Sequence, residues 1–278
     1  MLSLMLISVV SASYPMFHYD TQRTGYIPQD GPQTNATLWV AETAEYADGS
    51  PAVYNGKVFV PTWPDMDFAD NDPMGLVCYD AATGTELWTN ELGGTSVGSV
   101  SGVAVADGRV YLGGTDGRLY CIDEETGEMF WTSDQIDATG YFGLSSSPLI
   151  YEGTVYVLSA SDGVLHAFTP EGIESWSFPT GGAVGYFTSP AAANGEIFVA
   201  GNESDLSCID ITTHTATWSV ALPTAVKSTP AIGDGKVYVT TAERLYALSA
   251  STGAEVWNAS IGGTSSTPAV AGETVIAG

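Results

Sequence analysis

Residues 78–88 read Cys-Tyr-Asp-Ala-Ala-Thr-Gly-Thr-Glu-Leu-Trp, and residues 121–131 repeat the pattern as Cys-Ile-Asp-Glu-Glu-Thr-Gly-Glu-Met-Phe-Trp. It returns with losses at 167–176, 208–218 and 247–257, each copy ending in Trp. A second segment precedes every copy: Ser-Pro-Ala-Val-Tyr-Asn-Gly-Lys-Val-Phe-Val at 50–60, matched at 102–112, 147–157, 189–199 and 229–239, and once more at 267–276. Trp39, Trp88, Trp131, Trp176, Trp218 and Trp257 are spaced by 49, 43, 45, 42 and 39 residues. Intervals near this length, filled only by β-type segments and turn residues, indicate propeller blades and not helical solenoid repeats.

Each unit divides into four short strands. In the second unit these are 103–106, 109–113, 118–123 and 128–132, with Asp107-Gly108 and Asp116-Gly117 at the tight turns. Asp-Gly between alternating apolar residues is a strong hairpin signal, and no window shows a 3.6-residue period, so almost no helix is expected. The expected fold is an all-β propeller of four-stranded antiparallel blades, five complete, spanning 37–278. Partial blades flank them: 37–41 reads as a last strand, and 266–278 as the first two. Together these pieces lack one strand, which reads as an open ring cut from a longer protein of seven or eight blades. Residues 14–36, rich in Pro, Gly and aromatics, read as an irregular leader.

The repeated stretch has a mechanical reading. Asp80 and Asp123 can bond the backbone N–H groups of the turns that follow them, and Gly84 and Gly127 supply the positive-φ position. Trp88, Trp131, Trp176, Trp218 and Trp257 then start from fixed turns and would lie across the seams between sheets, burying about 150–250 Å² each. The third copy has Thr169 in place of Asp, the fourth has His214 in place of Gly, and the fifth has Ser249 in place of Asp. A catalytic set is made once from unlike residues, whereas this set is made five times. Function must lie where the repeats differ.

The stretch resembles the tryptophan-docking motif of pyrroloquinoline-quinone-type propellers, and the Ser-Pro-Ala-Val…Gly-Lys-Val-Phe-Val segment resembles the strands that precede it there. The segment Pro15-Met-Phe-His-Tyr-Asp…Arg23-Thr-Gly25-Tyr is similar to one heading many secreted archaeal and bacterial propellers of this type. The resemblance implies one of two functional groups: quinone-dependent alcohol dehydrogenases, or non-enzymatic scaffolds such as the lipoprotein of outer-membrane barrel assembly. The dehydrogenases use a vicinal disulfide, a calcium ion and a catalytic Asp. Here Cys78, Cys121 and Cys208 share one repeat position and none is adjacent to another, so they read as small buried hydrophobes with free thiols. A non-enzymatic scaffold without bound quinone is therefore expected. The alternatives are a quinone-dependent oxidoreductase-like protein and an inactive ligand-sensing propeller.

Seven Lys and Arg against 32 Asp and Glu give a formal charge of −25, which repels phosphate backbones and argues against a nucleic-acid partner. Residues 1–13 form a short apolar run ending in small residues, too short to span a bilayer and suited to a signal peptide or its remnant, although its basic start is missing. No other segment suits a membrane span, so an extracytoplasmic protein is expected.

Two places break the repeat. An insertion at 61–73 carries Asp65, Asp67, Asp70 and Asp72, which with Asn71 could offer oxygens to Ca²⁺; it lacks the glycine and terminal Glu of an EF-hand, and a solvated acidic loop is the plainer reading. Trp63 lies outside the docking register. Tyr141-Phe142 and Tyr186-Phe187 occupy matching connections and, with Trp63, could form an aromatic rim for a protein or glycan partner; packing at the blade junctions is the simpler role. His18, His166 and His214 show no zinc spacing.

Overall fold

The computed structural model describes residues 13–28, 35–43, 46–47, 49–62, 74–92, 101–137, 143–184, 188–201, 204–262 and 266–278. All regular structure among them is β. The first sheet comprises β1 (Ala52–Tyr54), β2 (Lys57–Thr62), β3 (Gly75–Asp80) and β4 (Glu86–Glu91). The second comprises β5 (Ala104–Ala106), β6 (Arg109–Gly113), β7 (Leu119–Asp123) and β8 (Met129–Thr132). The third comprises β9 (Leu149–Tyr151), β10 (Thr154–Leu158), β11 (Val164–Phe168) and β12 (Glu174–Pro179). The fourth comprises β13 (Ala191–Ala193), β14 (Glu196–Gly201), β15 (Asp205–Asp210) and β16 (Thr215–Ala221). The fifth comprises β17 (Ala231–Gly233), β18 (Lys236–Thr240), β19 (Arg244–Ser249) and β20 (Glu255–Ser260). β21 (Ala269–Ala271) and β22 (Thr274–Ile276) pair as a two-stranded sixth sheet.

Every four-stranded sheet is an antiparallel meander in sequence order, and the short first strands neighbour one another in the succession β1, β5, β9, β13, β17, β21. These are the inner strands of a propeller. The meander fixes two ends for each blade. Turns between first and second strands and between third and fourth strands share one end, here the turn end. Hairpins between second and third strands, and connections to the next sheet, share the other, here the connection end.

The core is a set of layers between sheets, because the two middle strands of each blade are buried on both faces. Val110, Leu112, Tyr120 and Ile122 pack with Phe59, Leu76 and Cys78 of the first sheet. Their alternating neighbours Tyr111, Leu119 and Cys121 pack with Val155, Val157 and Phe168 of the third. A period of two thus sends successive side chains into successive seams. The tight turns are built as their sequences suggest: Asp107 and Gly108 have φ of 49° and 74°, the both-positive geometry that matches strand twist.

Two features depart from the sequence reading. Residues 37–41 form no strand; Leu38 and Val40 are 77% and 82% exposed, without the sheet packing that an alternating apolar segment needs. The outer strand of every four-stranded sheet also carries a β-bulge just before its Trp. Cys78 pairs with Trp88 while Tyr79 pairs with Glu86, so Leu87 is the extra residue. Phe130, Ser175, Thr217 and Val256 are extra in the same way. The bulge re-aims the strand, turning the Trp to the seam and leaving Leu87, Phe130 and Val256 about half exposed.

Candidate functional site at the seams, the axis and the connection end

At the seams, each indole reaches the next blade. Trp88 donates its Nε1–H to the Glu124 carbonyl at 3.2 Å, Trp131 to Pro170 at 2.8 Å and Trp218 to Ala250 at 2.8 Å. Trp39 does the same to Ala81 at 2.9 Å, although its own segment is not in a sheet. Beneath four of the six rings lies a turn glycine: a Cβ on Gly84, Gly127, Gly172 or Gly253 would meet the indole of Trp39, Trp88, Trp131 or Trp218 at 2.5–2.7 Å. Trp176 meets His214, whose φ of 57° keeps the turn's left-handed backbone while its ring stacks on the indole at 4.6 Å and 16°. Trp257 is the most open of the six, at 36% exposed, and faces β22 in a groove with Lys236, Tyr238, Glu273 and Val275.

The turns are held by their carboxylates. Asp80 Oδ1 accepts from the Thr83 hydroxyl at 2.8 Å, from the Thr83 N–H at 2.8 Å and from the Ala82 N–H at 3.1 Å. Asp123 and Asp210 accept from Thr126 and Thr213 in the same manner. Hydrogen bonds from Thr83 depress the Asp80 pKa, and those from Thr213 and Thr212 depress that of Asp210. Directly opposite each Trp stands Cys78, Cys121, Ala167, Cys208 or Ala247. Cross-strand partners point to one face, so only a small residue leaves room for the indole. Burial pushes the Cys78 thiol up to about 12 and Cys121 to about 11, so these free cysteines are inert packing groups.

The axis is occupied by the chain itself. Tyr14 pairs with Val53 of β1, and Pro15 accepts from the Val105 N–H of β5 at 2.7 Å. Thr21, Gln22 and Thr24 accept from Ala192, Ile232 and Val270 of β13, β17 and β21. Arg23 covers the remaining blade and doubles on the fourth: Nη2 donates to Ser147 and Pro148 carbonyls at 3.1 and 3.0 Å, and Nε to Pro190 at 3.0 Å. Its Nη1 donates back to Phe17 at 2.6 Å, and the guanidinium lies over the Phe17 ring at 5.6 Å. Residues 14–24 therefore touch all six sheets. Arg23 is wholly buried; burial lowers its pKa to about 9, against support from Asp20 and Tyr14, and it stays a cation at neutral pH.

Nearer the connection end, hydroxyls link the inner strands to one another. The N–H of Gly102 donates to Ser147 Oγ at 2.8 Å, that of Ser147 to Ser189 Oγ at 2.9 Å, and that of Ser189 to Thr229 Oγ1 at 3.0 Å. The preceding residue acts within its own blade: Gly113, Leu158 and Thr240 donate to Ser101, Ser146 and Ser228. The Ser/Thr pairs before Pro148 and Pro230 were the available sequence signal for this belt. At the connection end itself, Gly117 and Gly163 sit where a Cβ would strike the Asp137 or Gly182 carbonyl at 1.8 Å, so hairpin and connection are tightly stacked. Asp137, buried, accepts the Ala160 N–H at 2.7 Å and ties the second blade's connection to the third.

Asp65, Asp67, Asp70 and Asp72 lie outside the described residues, as do Trp63, Tyr141, Phe142, Tyr186 and Phe187. The described strands that flank their segments all end at the connection end: β2 at Thr62, β3 at Gly75, β8 at Thr132 and β12 at Pro179. Among the described residues no group of three or more His, Cys, Asp or Glu side chains could hold a metal ion. The described residues also include no helix long and apolar enough to cross a membrane.

Comparison with known proteins agrees with this architecture. Tetrathionate hydrolase of Acidithiobacillus ferrooxidans is 26% identical over 69% of this chain and 34% of its own length. Outer membrane protein assembly factor BamB of Escherichia coli is 26% identical over 58% of this chain and 36% of its own. The chain thus spans about a third of the length of these curated relatives. Among solved structures, quinohemoprotein alcohol dehydrogenase from Comamonas testosteroni superposes with a TM-score of 0.70 at 16% identity, covering 89% of this chain and 49% of that one, a likeness of fold. The profile of the family described as outer membrane protein assembly factor BamB matches residues 25–179 and 161–278, which together take in every described sheet. On that match the chain belongs to the BamB-type family of pyrroloquinoline-quinone-like propellers.

Proposed function

We propose that this chain is an exported, non-catalytic scaffold that engages a protein partner through the connection end of its propeller. The observation that carries the reading is the filled axis. A small ligand enclosed by all the blades would need the space that residues 14–24 occupy, with Arg23 bonded to carbonyls of two sheets. The regular polar and aromatic set is committed to the seams. What varies from blade to blade is carried by the hairpins and connections at one end, the usual place for recognition on a rigid repeat scaffold. The name of the Escherichia coli relative, an assembly factor of the outer membrane, supports a protein partner and an extracytoplasmic setting. The apolar start, residues 1–13, is proposed to be a signal peptide or its remnant, and no resident cofactor is part of the reading.

Site-specific photocrosslinking tests it. Exposed Asp134 and Asp162 lie at the connection end, and exposed Asp107 at the turn end. Crosslinker at 134 and 162, but not at 107, should capture one envelope protein. Capture at 107 alone, or of glycan instead of protein, would overturn the surface or the partner class. A second reading, a ligand-sensing or quinone-dependent oxidoreductase-like propeller, draws on the names of the hydrolase and dehydrogenase matches. Stoichiometric quinone binding with dye reduction on an alcohol would establish it in place of the scaffold. The acidic insertion is a separate proposal: calorimetric titration with Ca²⁺ at physiological salt should show binding lost on replacing Asp65, Asp67, Asp70 and Asp72 by Asn. A flat titration removes the metal.

A further inference from the structure

We propose that residues 14–24 act as an axial strap, a unit docked across the inner edges of all six sheets and locked by Arg23, which shuts the propeller's axis. This does not depend on the partner reading. Three observations converge on it. First, the inner edge of an innermost strand has no neighbouring strand, so its N–H and C=O groups need partners from elsewhere. The amino-terminal segment supplies them one blade at a time, taking the N–H groups of Val105, Ala192, Ile232 and Val270. Second, the segment has no regular structure of its own and holds His18, Tyr19 and Arg23 at φ of 55°, 75° and 56°. Non-glycine residues in the left-handed region persist where the surroundings over-determine them. Here Asp20 takes the Thr24 N–H and hydroxyl at 2.9 and 2.6 Å, and Gly25 donates to His18, closing the loop that presents Arg23.

Third, Arg23 is a buried cation whose side-chain hydrogen bonds among the described residues all go to carbonyl oxygens: Phe17, Ser147, Pro148 and Pro190. Only a guanidinium, with five N–H donors in a fixed fork, reaches four carbonyls in these directions at once; a lysine ammonium has three donors at one point. Three of these carbonyls belong to the leads into β9 and β13; Ser147 is itself a member of the hydroxyl belt, and Pro190 directly follows another, Ser189. Strap and belt therefore meet at the same place, and Arg23 is the residue that joins them. It is a positioning residue for the ring, not a catalytic one.

Native-state hydrogen exchange on the full chain tests the strap. The amides of Val105, Ala192, Ile232 and Val270 should open together at low denaturant, in a step separate from that of the middle strands β7, β11, β15 and β19. Arg23→Ala should accelerate exchange at Ala192, Ile232 and Val270 about tenfold or more while leaving the middle strands unchanged, and Arg23→Lys should fall between the two. If Arg23→Ala does not fold, the wild-type denaturant series and the Lys variant decide. A folded Arg23→Ala with unchanged protection at these amides would overturn the lock. Four amides that open independently, or only with global unfolding, would overturn the strap.

Discussion

The seams and the axis solve the same problem, joining one sheet to the next, in opposite ways. Each seam between four-stranded sheets is a copy: an indole beside a bulge in an outer strand, laid on a left-handed turn of the following blade, with a small residue opposite. The axis is a single irregular segment whose carbonyls take the middle N–H of the first strand in five sheets and which reaches the third through Arg23. The copies tolerate loss. Thr169 and Ser249 stand where other turns have Asp, His214 stands where others have Gly, and the sheets still form. The strap has no second copy to share its load, and its side-chain bonds to the sheets converge on Arg23. Redundancy at the rim and singularity at the axis imply that single substitutions should cost most at Arg23, less at the seam glycines, and least at the turn carboxylates.

Arg23→Met gives the largest expected effect. It keeps the bulk but removes every donor, leaving the buried carbonyls of Ser147, Pro148 and Pro190 and the half-buried carbonyl of Phe17 without the guanidinium. At about 1 kcal/mol or more for each orphaned group, the loss is about 4 kcal/mol, read from chemical unfolding. A cost below about 1 kcal/mol would erase the contrast with the seams. Gly127→Ala comes next and can be isolated from backbone strain. Gly127 and Gly108 share φ of 74°, but a Cβ on Gly127 meets the Trp88 ring at 2.7 Å, whereas one on Gly108 meets nothing within 4 Å. Gly108→Ala should cost about 1 kcal/mol, and Gly127→Ala about 1–3 kcal/mol more. Equal costs would mean the indole is free to move away.

The fold was readable because the same signals recur five times: tight Asp-Gly, Asn-Gly or Glu-Gly turns, period-two apolar runs and a Trp shortly after a turn. Even the cysteines were legible as packing residues, since Cys78, Cys121 and Cys208 alternate with Ala167 and Ala247 at one position. The bulges were not legible. Leu87-Trp88 and Phe130-Trp131 are adjacent apolar pairs, and only the register shows that the first of each pair is looped out. The axial strap was hidden for a deeper reason. Residues 14–24 have no period, and Arg23 finds its partners 124, 125 and 167 residues away. Nothing local to the segment encodes those contacts. Residues 37–41 were misread because alternation alone cannot supply a pairing strand. Trp39, by contrast, was recognisable from its spacing.

The His214 turn sharpens the seam half of the comparison. A left-handed conformation is costly for His by roughly 1 kcal/mol, and stacking on Trp176 at 4.6 Å returns about 0.5–1.5 kcal/mol. The two nearly cancel, so His214→Gly should change stability by less than about 1 kcal/mol in either direction. A large loss would show that this seam depends on the imidazole, making it as singular as the axis.

The smallest effect separates the blades that keep the turn Asp from those that lost it. Asp80, Asp123 and Asp210 are all held below the ordinary carboxylate value. For Asp80 the first cause is the Thr83 hydroxyl and for Asp210 the Thr213 N–H; for Asp123 burial works in the opposite direction and the Thr126 bonds prevail. A carboxylate depressed in the folded state stabilises above its unfolded pKa, and that contribution fades as pH falls through the folded value. Asn at these positions keeps an acceptor oxygen but cannot titrate. The advantage of wild type over the triple variant Asp80→Asn, Asp123→Asn, Asp210→Asn should therefore be greatest near neutral pH. It should shrink as pH drops below the ordinary carboxylate range, as followed by urea unfolding at each pH. The turns at Thr169 and Ser249 have no such carboxylate, so hydrogen exchange at Gly172 and Gly253 should keep the same protection relative to global stability across that range. A gap between wild type and variant that widens on acidification would mean these carboxylates stabilise the protein through something other than their turns.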